Sequence, residues 1–256
     1  MKIGIIGAGN VATQLALGLN DKNNIISGVF NRDINKAKEL AAKVNSVVVT
    51  HPTHLIAKSD LIIISINDDA IEQIAKEFPH DCNTIIVHTA GSVEMSVFAH
   101  LKNYGVLYPL QTFTKESTTD LILVPFLIEA NNEPTQNTLT QLANQLSRTV
   151  KPITSSQRQL IHVAAAFSCN FVNHLYTLSS QFLNMHQIDF ELLKPLINET
   201  TQKALSTSPY DAQTGPAIRN DTKTISKHLT LLQGNKSMKE IYNILTNSIT
   251  NTYRYN

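Results

Sequence analysis

Short apolar runs alternate with stretches of helical periodicity over about the first 130 residues. The apolar runs are rich in β-branched residues and have the length of strands, and the stretches between them carry good helix formers. Strands that are apolar along their whole length are typical of a parallel sheet covered by helices on both faces. The predicted strands are residues 3–6, 25–30, 47–49, 61–66, 84–87, 105–108 and 121–128, and the predicted helices are 11–19, 35–44, 70–78 and 93–102.

A helix at 135–146 and a short extended piece at 150–153 close the first predicted domain. From residue 155 onward strand patterns are absent, and residues 157–183 repeat apolar side chains every three or four positions, which predicts one long helix. Asp189 and Asp221 are predicted to cap later helices, and Ser237 with Glu240 to form a capping box. We therefore predict an α/β domain at 1–153 and an all-helical domain at 154–256.

Composition excludes several classes of function. The 21 basic residues nearly balance the 20 acidic ones, for a net charge of +1, which argues against nucleic acid as a partner. Cys82 and Cys169 form neither a disulfide framework nor a metal-ligand spacing. The longest apolar stretch is far shorter than the roughly 18 residues that suggest a membrane span. These features predict a soluble cytoplasmic protein without a metal or a membrane partner.

A glycine-rich turn follows the first predicted strand. It runs Gly7, Ala8, Gly9, Asn10, Val11, Ala12, a G-x-G-x-x-A pattern that ends a strand and opens a helix. Such a turn lets the chain bend tightly and lets backbone N–H groups approach a pyrophosphate at the helix N-terminus. We predict a Rossmann doubly wound, mainly parallel sheet with a dinucleotide at Gly7, Gly9, Asn10 and Val11. A glycine-rich turn in another kind of α/β protein is the alternative interpretation.

The end of the second strand indicates which dinucleotide is bound. Asn31 stands where NAD-specific proteins place an acid, and Arg32 follows it. A guanidinium can pair with the 2'-phosphate of NADP(H), which an acid would repel. We therefore predict NADP(H) as the cofactor. Asp33 leaves NAD open, because it could bind a ribose, although a cap on the next helix is the favoured interpretation.

Polar residues follow three further strands, where open α/β sheets bind ligands. Asp68 and Asp69 are interpreted mainly as residues of a helix start. For each of the other side chains a purely structural role remains an alternative. The predicted cofactor contacts are Ser65, Ile66, Asn67, Thr89, Ala90 and Gly91, the predicted substrate contacts are Ser92 and Gln111, and the predicted proton-handling residue is His88.

The helical half adds further candidates. His162, Ser168 and Asn170 on the long helix are candidate catalytic residues, and each could instead be a packed or backbone-bonded helix residue. Arg219 could clamp a carboxylate or phosphate of the substrate. The alternative interpretation is that Arg219 is a structural residue just before a helix that Asp221 caps.

Several separated segments resemble one family. They are GAGNVA, SIND, HTAGS, YPLQTF, HVAAAFSCNF and QTGPAIRNDTKTISKHL, and together they span essentially the whole chain. The chain resembles the Rossmann-like NADP oxidoreductases with a C-terminal DUF2520 domain. That family is similar to pyrroline-5-carboxylate reductase, deazaflavin-dependent NADP oxidoreductase and the β-hydroxyacid dehydrogenases. The resemblance implies a homodimer whose helical domains intertwine, with substrate held in the interdomain cleft beside the nicotinamide.

One departure from these relatives bears on the reaction. The β-hydroxyacid dehydrogenases have a catalytic lysine three residues before an asparagine on the long helix. In this chain the residue three positions before Asn170 is Phe167, so the lysine is absent and alcohol dehydrogenase chemistry with that residue is disfavoured. A protonated imine is already activated and demands less of the protein than an alcohol. The sequence therefore predicts an NADP(H)-dependent oxidoreductase that reduces a small imine or carbonyl compound. The alternative is a non-catalytic NADP-binding sensor or dimeric regulatory protein.

Overall fold

A seven-stranded sheet organises the first part of the computed structural model, which describes residues 1–114 and 120–253. The strand order is β2-β1-β3-β4-β5-β6-β7, and neighbouring strands are parallel except for the antiparallel pair β5 and β6. The mainly parallel doubly wound sheet predicted from the sequence is thereby confirmed. The strands are β1 (Lys2–Ile6), β2 (Ile25–Phe30), β3 (Leu61–Ile64), β4 (Ile85–His88), β5 (Tyr104–Pro109), β6 (Phe126–Ala130) and β7 (Val150–Pro152).

Both faces of the sheet are covered, as the continuous apolar strands predict. In β3, Leu61 and Ile63 pack into one apolar cluster while Ile62 and Ile64 pack into another on the opposite face. All four side chains are fully buried. The covering helices are α1 (Asn10–Asn20), α2 (Ile34–Lys43), α3 (Asp68–Ala75) and α4 (Glu133–Leu146).

Three predicted elements differ from the observed ones. Residues 47–49 form only a single bridge, between Val48 and Val29. Residues 121–128 divide into a 3-10 turn, Leu121–Leu123, and β6, because the Asp120 side chain accepts from the backbone N–H of Ile122 at 3.1 Å and caps that turn. Helix 93–102 is reduced to the 3-10 turn Met95–Phe98.

Contacts from a distant helix explain the loss of helix 93–102. Ser155 Oγ accepts from the backbone N–H of Met95 at 3.1 Å, and the Arg158 guanidinium donates to the backbone carbonyl of Val93. Backbone groups that a longer helix would need are therefore bonded elsewhere.

The chain forms two compact units, Met1–Cys169 and Asn170–Asn256. The first unit includes α5 (Ser155–Ala165), which is bonded to the sheet through Arg158 and Glu129. The predicted long helix consists of α5, a π-helical turn (Ala166–Phe171) and α6 (Val172–Met185). The division between the units falls inside the π-helical turn.

Helices make up the second unit as predicted. After α6 come α7 (Lys194–Ser206), α8 (Thr222–Leu231) and α9 (Lys236–Thr252). Asp221 caps α8 as expected, and Asp189 caps a 3-10 turn directly before α7. The predicted Ser237–Glu240 capping box is wrong, because the Asn235 side chain caps α9 by accepting from the N–H of Met238 at 3.0 Å. No helix in the described ranges combines the length and apolarity that a membrane crossing requires.

Candidate cofactor and active site

A cleft of about 460 Å³ opens where the strand order reverses, between β1 and β3. This is the position at which open α/β sheets bind ligands. The carboxyl ends of β1, β2 and β3 and the first turns of the helices after them form its walls. Its lining residues are Ile6, Gly7, Ala8, Gly9, Asn10, Phe30, Asn31, Arg32, Asp33, Lys36, Ile66, Asn67 and Ile74.

The two glycines of the turn have different roles. Gly7 has φ +117°, and a Cβ there would collide with the backbone carbonyl of Ser65, so only glycine fits. A Cβ on Gly9 would meet nothing within 4 Å and would lie in open space. Gly7 is therefore required by the fold, whereas Gly9 keeps the cleft clear for a ligand.

The N-terminus of α1 faces this space with its donors free of side-chain competition. Gly9 occupies the N-cap position, no side chain caps the helix, and its first turn contains no acidic residue. The Asn10 side chain is committed elsewhere, because its amide donates to the carbonyl of Phe113 at 2.8 Å. Val11 packs against the core. Backbone N–H groups are therefore what this turn can offer an anion.

Basic side chains stand at the end of β2. Arg32 and Lys36 both line the cleft and are exposed, and Arg32 makes no ion pair with any residue in the described ranges. Asp33 caps α2 by accepting from the N–H of Asn35 at 3.0 Å, which is the role favoured from the sequence. Asn31 donates to the carbonyl of Asp33 at 3.0 Å. Arg32 is thus the available partner for an anion at this edge. Lys36 lies four residues later, with its Nζ 4.0 Å from the Asp33 carboxylate.

The ends of β3 and β4 are tied together beside the cleft. Thr89 Oγ1 donates to Ser65 Oγ at 3.1 Å, and both residues are buried. Ile66 and Asn67 line the cleft itself. Ser65 and Thr89 thus hold the strand ends in place and leave Ile66 and Asn67 at the cleft wall.

His88 lies in the core rather than in the cleft. Its side chain is fully buried against the ring of Phe98, and its Nδ1 accepts from the N–H of Ala90 at 3.1 Å. Burial, reinforced by the charge of Arg158, lowers the pKa of His88 to about 3. The imidazole is therefore neutral at physiological pH, and it does not belong to the lining of the cleft. We therefore withdraw the hypothesis that His88 handles protons.

A polar cluster lies at the ends of β4 and β5. Tyr108 Oη and His162 Nδ1 are 3.1 Å apart. Ser92 Oγ donates to Asp68, the first residue of α3, and the Gln159 amide donates to the Ser92 carbonyl at 3.1 Å. We call Asp68, Ser92, Tyr108 and His162 the polar cluster. It adjoins the cleft through Asn67, the residue before Asp68.

Gly91 admits the imidazole to this cluster. A Cβ at Gly91 would collide with His162, including its Nδ1 atom. The HTAGS turn and α5 can therefore approach one another only because residue 91 has no side chain.

Two further predicted site residues of the first unit make local hydrogen bonds, and two others belong to the second unit. Gln111 turns back on its own loop, where its Oε1 accepts from the N–H of Thr112 at 2.8 Å. Ser168 Oγ donates to the carbonyl of Ala164 at 3.1 Å, the backbone-bonded alternative weighed for it. Asn170 and Arg219 are exposed residues of the second unit.

Comparisons with known proteins are consistent with this geometry. Residues 2–91 match the model of a family described as NADP oxidoreductase, coenzyme F420-dependent, and residues 124–249 match a domain of unknown function, DUF2520. BF3122 from Bacteroides fragilis, a solved structure classed as an NADP oxidoreductase, is 38% identical over 98% of both chains, with a TM-score of 0.88. The chain belongs to this NADP oxidoreductase family with a DUF2520 domain. The resemblance inferred from its motifs is confirmed.

More distant structures share the fold. A reductive aminase from Aspergillus terreus, solved with NADPH and ethyl-5-oxohexanoate, is 17% identical over 99% of this chain and 93% of its own, with a TM-score of 0.73. An imine reductase from Myxococcus stipitatus, solved with NADP⁺, is 15% identical over 99% and 93%, with a TM-score of 0.66. No curated protein sequence matches the chain. NADP(H), the cofactor predicted from Arg32, is the cofactor of this family, and the prediction is thereby confirmed.

The residues of the cleft fit NADP(H). The unobstructed space at Gly9 and the uncapped N-terminus of α1 suit a pyrophosphate, and Arg32 and Lys36 supply positive charge where a 2'-phosphate would be recognised. Lys36 was missed from the sequence, although it stands four residues after Arg32. Tyr108 was also missed as a site residue, because only the tertiary structure brings it to His162.

Arg32→Ala is expected to remove most of the preference for NADPH over NADH. A charge-assisted contact contributes about 1.5 to 3 kcal/mol, so the ratio of the two dissociation constants should fall by roughly 10- to 100-fold. Calorimetric titration of both cofactors measures that ratio. Lys38→Ala, an exposed change on α2 that does not line the cleft, is the matched control. An unchanged ratio in Arg32→Ala would remove Arg32 from phosphate recognition.

Proposed function

We propose that this chain is a reductase that uses NADP(H) to reduce a small imine or carbonyl compound. The observation that carries the proposal is adjacency within the first unit. The strands whose ends form the cofactor cleft, β1 and β3, are followed in the sheet by β4 and β5, whose ends carry the polar cluster. A phosphate cradle thus lies beside side chains able to bind and protonate a small polar molecule.

Each part of the first unit has a distinct task in this proposal. When bound, NADPH supplies a hydride from its nicotinamide ring. The turn at Gly7 and Gly9 orients the pyrophosphate, and Arg32 with Lys36 selects the phosphorylated ribose. In the polar cluster, the Asp68 carboxylate favours a cationic group, which a protonated imine provides and a neutral ketone does not. Imines are therefore the favoured class within the proposal.

Oxidation of NADPH against a panel of defined probes tests the proposed function. The panel consists of cyclohexanone, 1-pyrroline and an N-methyl cyclic iminium ion, with reactions lacking protein as the blank. We expect protein-dependent turnover of at least one probe. If NADPH binds but every probe is inert, the reductase proposal fails and a non-catalytic NADP-binding sensor takes its place.

We propose that the second unit joins two chains into a homodimer. Among the residues described in that unit only Ala217 is buried, and large apolar side chains such as Leu205 (78% exposed) and Leu231 (66%) face solvent. A groove of about 590 Å³ between its helices is lined mainly by apolar residues, including Leu175, Leu178, Phe182, Leu231, Ile241 and Leu245. A helical unit without a core of its own needs a partner to bury these side chains. A second copy of the chain presents the same apolar surface, so two copies can cover each other.

Sedimentation at micromolar concentration is expected to give a mass near twice 28.3 kDa. Leu231→Glu should dissociate the dimer, because it places a charge in the apolar groove. Leu123→Glu changes an equally exposed leucine of the first unit and should leave the mass unaltered. A monomeric parent chain would contradict the dimer.

A cytoplasmic location is also proposed. It is supported by two free thiols, with Cys82 buried and Cys169 exposed, which suit a reducing compartment.

A further inference from the structure

The side chain of Tyr108 is placed to deliver a proton. It extends from β5, one of the two strands whose ends carry the polar cluster, and its Oη lies 3.1 Å from Nδ1 of His162 on α5. The two rings meet edge to face, with centroids 6.1 Å apart. A hydroxyl bonded to an imidazole beside a cofactor cleft is an arrangement suited to general acid catalysis.

Buried contacts of Arg158 hold in place the helix that carries His162, whose own side chain is exposed. One helical turn before His162, Arg158 is fully buried, and its Nη1 donates to Glu129 Oε2 at 2.5 Å. The same guanidinium donates to the carbonyl of Val93 and, at 3.2 Å, to Ser155 Oγ. These bonds anchor α5 to the sheet, and Gly91 leaves the space that the imidazole occupies. The pair is therefore held by rigid elements rather than by a loop.

The charged groups around Tyr108 keep its hydroxyl protonated. Asp68 of α3 and both Arg158 and His162 of α5 face it from the packed elements. Burial raises the pKa of Tyr108, Asp68 raises it further, and Arg158 opposes the change without cancelling it. The phenol consequently carries its proton throughout the physiological pH range, as a general acid must.

We propose that Tyr108 is the catalytic acid of the reduction and that His162 is its positioning residue. The inference rests on the proposed function. As hydride adds to the carbonyl carbon, the π electrons move to oxygen, and the oxygen takes the proton from Tyr108 Oη. His162 orients the phenol by donating from Nδ1 to Oη, and the same bond stabilises the tyrosinate until solvent returns a proton. An iminium ion with a permanent charge on nitrogen accepts the hydride alone and needs no proton.

The different proton requirements of a ketone and an N-methyl iminium ion separate this role from a structural one. In Tyr108→Phe we expect turnover of cyclohexanone to fall by roughly 100-fold or more, since general acid catalysis contributes 10²- to 10⁴-fold. Turnover of the N-methyl iminium ion should stay within about threefold of the parent, because this substrate takes no proton. Tyr104→Phe, on the same strand with its ring against Phe98, is the matched control and should change neither rate.

Variants of His162 test the positioning role. His162→Ala should lower kcat for the ketone with little change in KM, whereas His162→Asn, which keeps an N–H donor near the Nδ1 position, should recover much of the loss. Ring-nitrogen NMR of His162 in the protein without substrate supplies a second readout. The Nδ1 resonance should move in Tyr108→Phe and stay in place in Tyr104→Phe.

The outcomes distinguish this inference from the proposed function. If the parent reduces no probe of the panel, the proposed function fails and the acid role fails with it. If the parent reduces 1-pyrroline or the iminium ion but not the ketone, the reductase assignment stands and Tyr108 is not the acid of a carbonyl reduction. If the parent reduces the ketone and Tyr108→Phe does so equally well, Tyr108 is not the acid, while the reductase assignment stands. If the His162 Nδ1 resonance does not move in Tyr108→Phe, the hydrogen bond between Tyr108 and His162 is absent in solution, and the positioning role of His162 fails whatever the turnover.

Discussion

Gly9→Asp is expected to abolish NADPH binding while leaving the fold intact. The new side chain would extend into open space in the cleft, so it meets no clash, and its carboxylate would stand where the pyrophosphate is expected. Two like charges about 4 Å apart repel by about 4 kcal/mol at an effective dielectric constant of 20, which corresponds to a loss of affinity on the order of 1,000-fold. Fluorescence titration with NADPH measures it.

Two further glycine variants make this result interpretable. Gly9→Ala adds only a methyl group in open space and should weaken NADPH binding far less than the aspartate does. Gly7→Ala should instead reduce stability, because its Cβ collides with the Ser65 carbonyl at a backbone φ of +117°. If Gly9→Asp binds NADPH as tightly as the parent does, the phosphates are not at this turn.

Glu129→Ala is expected to cause a large loss of stability. The carboxylate accepts from Arg158 at 2.5 Å and from the backbone N–H and hydroxyl of Ser155 at 2.9 and 2.7 Å. Its removal leaves the fully buried guanidinium of Arg158 without its anion. Breaking a buried ion pair in this way costs about 3–5 kcal/mol of unfolding free energy.

Urea denaturation of the parent and the variants measures that cost. The exposed pair Lys43–Glu39, with an N···O distance of 2.9 Å, provides the comparison, and Glu39→Ala should change the unfolding free energy by no more than about 0.5 kcal/mol. A loss below about 1 kcal/mol for Glu129→Ala would show that Arg158 does not depend on Glu129.

Short patterns in the sequence predict the strands, turns and helix caps that depend on residues close together in the chain. The apolar run of β3 reflects burial on both faces of the sheet, and the G-x-G turn at Gly7 reflects a backbone requirement that the structure shows directly. Asp33 and Asp221 act as helix caps because a short side-chain acceptor can reach the nearby N–H groups without any tertiary contact. Fold class and cofactor could therefore be predicted from the sequence.

Features that depend on contacts between distant residues could not be predicted. His88 ends a strand in the same way as a cleft residue would, and only the packing of Phe98 and Arg158 shows that its ring belongs to the core. The pair of Tyr108 and His162 joins residues 54 positions apart. Residues 93–102 have helical periodicity but form only the short turn Met95–Phe98, because the N–H of Met95 donates to Ser155, a residue far along the chain. Periodicity alone cannot show that contact.

Transfer of hydride from NADPH to the substrate carbon can be followed with an isotope label. NADPH carrying deuterium at both C4 positions of the nicotinamide is mixed with the protein and each probe, and the product is analysed by mass spectrometry. We expect a product with one deuterium on the former carbonyl or imine carbon, in an amount equal to the NADPH consumed. Unlabelled product, or bound NADPH with no product from any probe, would show that this protein does not transfer the hydride.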